Sequence, residues 1–464
     1  MNRITEGNRV LTEQLIDTVM KEYDACALAA CIIDHTGKTQ YEVFRGNLSR
    51  ESDIPVNGDT IFGLASVTKS FTAMAVMKMA EDGILNINDP VSKYIPEFTN
   101  KNTETVTVAH LLSHAGGFFP QSRIVVDEVQ QKLHLDEETD GDMAYSEALA
   151  IEGERLVAER LDSLTMEDGL IGVPGEYLSY CNDGFGLLSG IIRRYGDQDS
   201  YAEYLNEHIL RPLGMDRSFC DFVKPKEDPN AAMLYEKKDG VMTGHRDYHD
   251  NAFVLNGGGA MKSTLNDLKK YLSVYLNKGK GIVSDYSIRE MVKTRQPYGI
   301  HNGYGYGLYT QMVSGMQVTG HGGSLPGVSS NIAFTYDNDC AVIILCNTSD
   351  VPVSVISDAL MRMYAGFCPL PERNITEQPW DDALRNGAAG FYSSGEGTEF
   401  ELTVRDGKLV SVEEGKEKPV IETGLYQGVI RGRYSDMVVR PLIRDGKVFA
   451  VQYGSRIIPR KKQN

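Results

Sequence analysis

The order in which strand and helix patterns follow one another constrains the fold of this chain more than any other feature. Ala27–Asp34 and Gln40–Phe44 carry β-forming residues on either side of the turn His35-Thr36-Gly37-Lys38. Strand patterns return at Met316–His321, Asn331–Tyr336 and Cys340–Cys346, linked by the turn pairs Pro326-Gly327 and Asp337-Asn338. Helical patterns fill much of the interval, among them Ser66–Asp82, Gly184–Tyr195 and Leu265–Asn277. An amphipathic helix, with Leu11, Leu15, Ile16, Val19 and Met20 on one face, is predicted over Val10–Tyr23. Strands at both ends with helices between predict an α+β fold. Its antiparallel sheet is built from both ends of a region spanning residues 1–372 and is flanked by an inserted helical region.

Beyond residue 372 the texture changes to short strands and frequent turns. Val404–Leu409 and Ile443–Val448 are near-repeats, and Asp406-Gly407 and Asp445-Gly446 are hairpin turns flanked by β-formers. Residues 373–464 therefore read as a small all-β accessory domain, a barrel or sandwich, joined through the polar stretch Pro371–Gln378. Another segment stands out by charge. Residues 121–170 hold 14 Asp/Glu against 4 Lys/Arg, so −10 of the net −17 lies there. Ser146–Leu161 within it has helical spacing. Two readings stand: a solvated surface insertion, or a lid over the site described next.

The charge balance, 47 Lys and Arg against 64 Asp and Glu, argues against nucleic acid or an anionic membrane as partner, since both call for clustered positive charge. The longest apolar run, Ala25–Ile33, falls far short of the ~20 residues of a spanning helix. Arg3, Glu6, Arg9, Glu13 and Asp17 leave no apolar stretch of signal-peptide length. The seven cysteines are odd in number and lack paired CxxC spacing, which suits a reducing compartment. A cytoplasmic location is the expectation.

The strongest chemical signal is Ser66-Val67-Thr68-Lys69, inside the apolar stretch Gly63–Val76. Phe71, Met74, Ala75 and Met79 make the following helix apolar on most sides, which predicts burial in the core. Ser66 falls at its N-terminus, where free N–H groups and the helix dipole favour developing negative charge. Lys69 lies one turn on along the same face. Burial lowers the pKa of an amine, and a neutral lysine is a base for the serine. Two further elements join this one. Pro174–Asn182 precedes an apolar helix and offers the phenol of Tyr180 and the amide of Asn182 two residues apart. Gly320–Ser324 ends a strand, where missing side chains let a substrate backbone approach the edge. Taken singly, Tyr180 reads as a core tyrosine and His321 as a satisfied histidine beside a turn.

Taken together and in this order, SxxK, YxN and His-x-Gly resemble the serine β-lactamase and penicillin-binding protein superfamily. YxN points to its class C-like branch, which includes D-aminopeptidases, D-alanyl carboxypeptidases and carboxylesterases. Leu111–Gly117, Pro212–Met215 and Gly257–Thr264 agree, and the resemblance covers roughly residues 10–365. It implies that Ser66 is the acylated nucleophile and that Lys69 and Tyr180 share general base and acid work. By the same resemblance Asn182 meets the substrate amide or the Lys69 amine, and His321, Gly323 and Ser324 bind substrate. The backbone N–H groups of Ser66 and Ser324 form the oxyanion hole, and no metal or cofactor is implied.

Two positions depart from the family pattern. Cys181 replaces a commoner serine, and Gly322 stands where a Thr or Ser hydroxyl often meets a substrate carboxylate. The second departure weakens the case for β-lactams and for peptides with a free C-terminal carboxylate. The expected activity is a serine hydrolase acting on a small amide or ester, a small molecule or short peptide, with oligomeric state left open. Its rivals are an acyltransferase using the same acyl-enzyme and a silent penicillin-binding-type sensor. Other signals are weaker. His245, His249 and Asp250 sit in a polar loop without a partner cluster, and His110 and His114 read as structural. Gly257–Ser263 faintly resembles a P-loop, but Met261 occupies the place of its last glycine. No GxSxG occurs, which disfavours an α/β-hydrolase.

Overall fold

The computed structural model describes residues 4–461 except 103, 123–125, 135–141, 222, 247, 249–255, 300 and 425. Its centre is an eight-stranded antiparallel sheet. In spatial order the strands are Thr39–Gly46, Ala27–Asp34, Cys340–Cys346, Val328–Thr335, Met316–Leu325, Tyr309–Val313, Asn302–Tyr304 and Gln296–Pro297. The N-terminal strand Ala27–Asp34 pairs with Cys340–Cys346, Leu28 opposite Cys346 and Asp34 opposite Cys340. Both ends of the region thus meet as the second and third strands of one sheet.

These two strands are buried on both faces, and their side chains sort by the two-residue period of a strand. Ala27, Ala29, Cys31 and Ile33, with Ala341, Ile343 and Leu345, face the core shared with the helical region. Leu28, Ala30 and Ile32, with Val342, Ile344 and Cys346, face the helices Glu6–Glu22 and Val353–Ala365. On the other face the helix Thr68–Glu81 runs through the core with almost every side chain buried, including Lys69.

The strand predicted over Met316–His321 runs on to Leu325. Gly320, Gly322 and Gly323 hide it from any propensity reading, because glycine has no side chain to signal a strand. Pairing with Val328–Thr335 carries it: Gly322 lies opposite Asn331 and Ser324 opposite Ser329. Its ladder with Tyr309–Val313 ends at Gly320.

From Gly390 a second eight-stranded antiparallel sheet follows in plain chain order, Gly390–Ser393 to Arg456–Pro459. A bridge between Tyr392 and Arg460 brings its first and last strands together, so the sheet curls into a barrel. Asp406-Gly407 and Asp445-Gly446 all have positive φ, the conformation a two-residue hairpin turn requires. Tyr392, Phe400, Leu402, Val439 and Val451 fill the interior, and the helix Asp382–Ala388 packs against it through Leu384 and Ala388.

Within the acidic stretch, the described residues form the helices Val126–Leu133 and Asp142–Ser163. Leu149, Val157, Ala158 and Leu161 pack into the main core. Glu154 is not a solvated charge. It is buried between Arg193 and Arg194, at 2.9 and 2.7 Å. Glu152 and Glu159 both pair with Arg155. Glu154→Gln leaves the Arg193 guanidinium without its partner, so we expect a loss of about 3 kcal/mol of stability. A thermal melt checks this, and an unchanged midpoint would show that the cluster does not hold the helix in place.

Candidate active site

Ser66 lies in the short 3-10 turn Ala65–Val67 that leads into the Thr68–Glu81 helix. The turn is held from several sides. Leu64 N donates to Met261 O at 2.9 Å, and Met261 N donates to Thr68 Oγ1 at 3.0 Å. Ser330 Oγ, from the sheet, donates to Leu64 O at 2.7 Å. Ala65 has φ +47, a left-handed conformation costly for a residue with a side chain and sustained only by such surroundings.

Lys69 is fully buried, and its Nζ lies 3.0 Å from Ser66 Oγ and 2.7 Å from Gly258 O. Burial, and secondly the charge of Arg456, bring its pKa down to about 7. An uncharged amine beside the serine hydroxyl is therefore well populated at neutral pH. Tyr180 is also buried, and its phenol lies beside Ser66, with which it interacts. Burial pushes that phenol well above its ordinary value, so it stays protonated and can donate.

Asn182 opens the helix Asn182–Tyr195. Its Nδ2 donates to Glu396 Oε1 at 3.2 Å rather than meeting the Lys69 amine. Cys181 lines the cleft beside it, and Cys181 N donates to His114 Nδ1 at 3.1 Å.

His321 is buried behind the cleft. Its Nδ1 donates to Gly322 O at 2.6 Å, which leaves Nε2 to accept from the Tyr304 hydroxyl at 3.0 Å. Burial, then the nearby Lys69, hold its pKa at about 3, so it supplies no positive charge. Ser324 lines the cleft with Ser66.

Gly323 and Gly322 differ in what a side chain would meet. A Cβ at Gly323 falls 2.1 Å from Leu64 O and 2.4 Å from Ser330 Oγ, so only glycine lets the strand lie against the Ser66 turn. A Cβ at Gly322 meets nothing nearer than Asn331 Nδ2 at 3.5 Å. Gly322 lines a separate cavity with Asn331 and Asp358, not the Ser66 cleft. We expect Gly323→Ala to cost ~10² in turnover through displacement of the strand. Gly322→Ala should stay near wild type. Equal rates for the two variants in an ester assay would refute this reading of the contact.

The cleft has a volume of about 480 Å³ and is lined by Ser66, Tyr180, Asn182, Ser324, Glu396 and Arg456 among others. The last two come from the barrel, and the sequence reading missed them. No local signal marks them: each is one charged residue in a turn-rich β segment, and only docking of the barrel brings it to Ser66. Asp183, also on the cleft wall, has its pKa raised to about 7 by burial. Among the described residues no group of three or more His, Cys, Asp or Glu is arranged to hold a metal. His249 and Asp250 lie outside the described residues.

A serine and a lysine one helical turn apart, met by a tyrosine beside a five-stranded-or-larger antiparallel sheet, define a class: the serine hydrolases of β-lactamase fold. The family model described as Beta-lactamase matches residues 12–365, and the chain belongs to that family. Protein flp of Staphylococcus aureus (strain MW2) is 26% identical over 351 residues, covering 72% of this chain and 63% of that one. The chain thus spans just under two thirds of that relative's length. Among solved structures, the octameric penicillin-binding protein homologue from Pyrococcus abyssi aligns with TM-score 0.67 and 26% identity, over 98% of this chain and 100% of that one. The D-amino acid amidase from Ochrobactrum anthropi SV3 shares the fold, with TM-score 0.57 and 19% identity over 76% of this chain and 98% of its own.

Proposed function

We propose that this protein hydrolyses small amides or esters through an acyl-enzyme on Ser66, D-amino-acid amides and peptides ahead of simple carboxylic esters. The observation that carries this reading is the contact of a buried Lys69 with Ser66 Oγ at 3.0 Å. Uncharged Lys69 takes the Ser66 proton as Oγ bonds to the substrate carbonyl carbon. The N–H groups of Ser66 and Ser324 hold the resulting oxyanion, each such donor being worth ~10²–10³ in turnover. The Tyr180 phenol passes a proton to the departing amine or alcohol and is reprotonated from Lys69. Water then attacks the acyl carbon, and its proton returns by the same groups as Ser66 is released.

Substrate preference follows from charge. Uncharged His321 offers nothing to a carboxylate. The Glu396 carboxylate on the cleft wall can take a free amino group only by sharing it with Arg456 and Asn182, which already hold it. The fold shared with a D-amino acid amidase is consistent with that class. Among the described residues no helix is long and apolar enough to cross a membrane. The seven unpaired thiols support a cytoplasmic location.

A panel of chromogenic esters, D- and L-aminoacyl anilides and nitrocefin on one preparation tests the substrate assignment. Intact-mass analysis after a fluorophosphonate probe tests the nucleophile. Absence of any covalent adduct would leave only a silent binding role. Because Lys69 must be uncharged to act, the rate should rise with pH through about 7. A flat kcat/KM profile between pH 6 and 8 would rule out Lys69 as the base.

A further inference from the structure

The barrel meets the catalytic centre through its last hairpin. Ser455 O accepts from Tyr180 N at 2.9 Å, and the Tyr309 hydroxyl donates to Ser455 Oγ at 3.1 Å. Ile457 N donates to Ser179 Oγ at 3.3 Å. Between these anchors Arg456 carries its guanidinium carbon to 4.8 Å from the centre of the Tyr180 ring. Lys69 Nζ is 4.9 Å from the same ring centre, so the two cationic groups lie less than 10 Å apart. Glu396, from the loop between the first two barrel strands, pairs with Arg456 and accepts from Asn182.

The other titratable groups around Lys69, Asp183 apart, carry little charge at neutral pH. Burial keeps His114 and His321 low, and Tyr180 and Cys181 high. Asp183, on the cleft wall, titrates near neutrality. Among the described residues, Arg456 and Glu396 are therefore the permanently charged side chains that act on the catalytic amine, and neither belongs to the catalytic region.

We infer that Arg456 is a positioning residue: its guanidinium disfavours the ammonium form of Lys69 and steadies negative charge developing on the Tyr180 oxygen, so the barrel sets the pH at which Ser66 is acylated. This rests on the acyl-enzyme reading above. Two unit charges under 10 Å apart in a protein interior interact strongly enough to displace a titration by about one pH unit.

The test is the pH profile of p-nitrophenyl acetate hydrolysis by the full chain, as wild type, Arg456→Gln, Arg456→Lys, Glu396→Gln and Ser66→Ala. Arg456→Gln should move the acid limb up by about one pH unit and slow the reaction about five-fold at pH 7. Glu396→Gln should move the limb down, and Arg456→Lys should return it toward wild type. A purely structural role would slow both neutralised variants without displacing their limbs in opposite directions. Asp183 also titrates near neutrality and feels Glu396, so the profiles are repeated in an Asp183→Asn background, where the opposite displacements should persist and their disappearance would overturn the inference. Limbs that stay at the wild-type position, or move together, overturn the inference while Ser66→Ala remains inactive. If Ser66→Ala hydrolyses the ester as wild type does, the acyl-enzyme reading fails first and this inference falls with it. Should Arg456→Gln not fold, the direction of the Glu396→Gln displacement decides alone.

Discussion

Ser66→Ala is expected to abolish turnover and all covalent capture while the protein melts within a few degrees of wild type. The hydroxyl is the only group at this position with the geometry to be acylated, since Lys69 Nζ and the Tyr180 phenol both converge on it. Its removal leaves the supports of the turn in place. Thr68 Oγ1 still donates to Ala65 O at 2.7 Å, and Ser330 still holds Leu64. Lys69 keeps its bond to Gly258 O and, with its pKa near 7, carries only a partial charge into the emptied site. Ester turnover, intact mass after a fluorophosphonate, and a thermal melt give the three readouts. Wild-type turnover in this variant would end the acyl-enzyme hypothesis.

Tyr180→Phe should lose ~10²–10⁴ in kcat with little change in KM. The substitution keeps the ring and removes only the oxygen. Packing against His114, whose ring centre is 4.2 Å away, is retained, as is the bond from the backbone N–H to Ser455. What disappears is the protonated phenol beside Ser66 that carries the proton to the leaving group. The loss should therefore appear in the chemical step. An unchanged kcat with a raised KM would make Tyr180 a substrate contact instead.

Much of the site's local logic was legible because it is encoded within single helical turns. Ser66 and Lys69 are three residues apart on an apolar helix, so their proximity and the burial of the amine follow from helix geometry and composition. Tyr180 and Asn182 were readable as a motif on a loop before a helix. Their partners were not. Asn182 turns to Glu396, 214 residues away, because the barrel presents a carboxylate there. The far end of the Gly320–Ser324 strand was obscured for another reason. Its glycines carry no strand signal, and only the close approach to Leu64 shows why a glycine is required at Gly323. The acidic stretch shows the same limit: composition counts Glu154 as surface charge, whereas the fold buries it between two arginines.

The sequence alone determined the antiparallel sheet joined from both ends of the region 1–372, the β-rich tail with its Asp-Gly turns, and the placing of a serine and a lysine on one buried helix. These depend on periodicity, turn chemistry and burial, which act over a few residues and leave a pattern in the chain. Tertiary structure alone decided the charge environment of Lys69, the neutral tautomer of His321, and the entry of Arg456 and Glu396 into the cleft. Electrostatic interactions act through space between residues hundreds of positions apart, and their strength depends on the water that packing excludes, so no local pattern in the sequence records them.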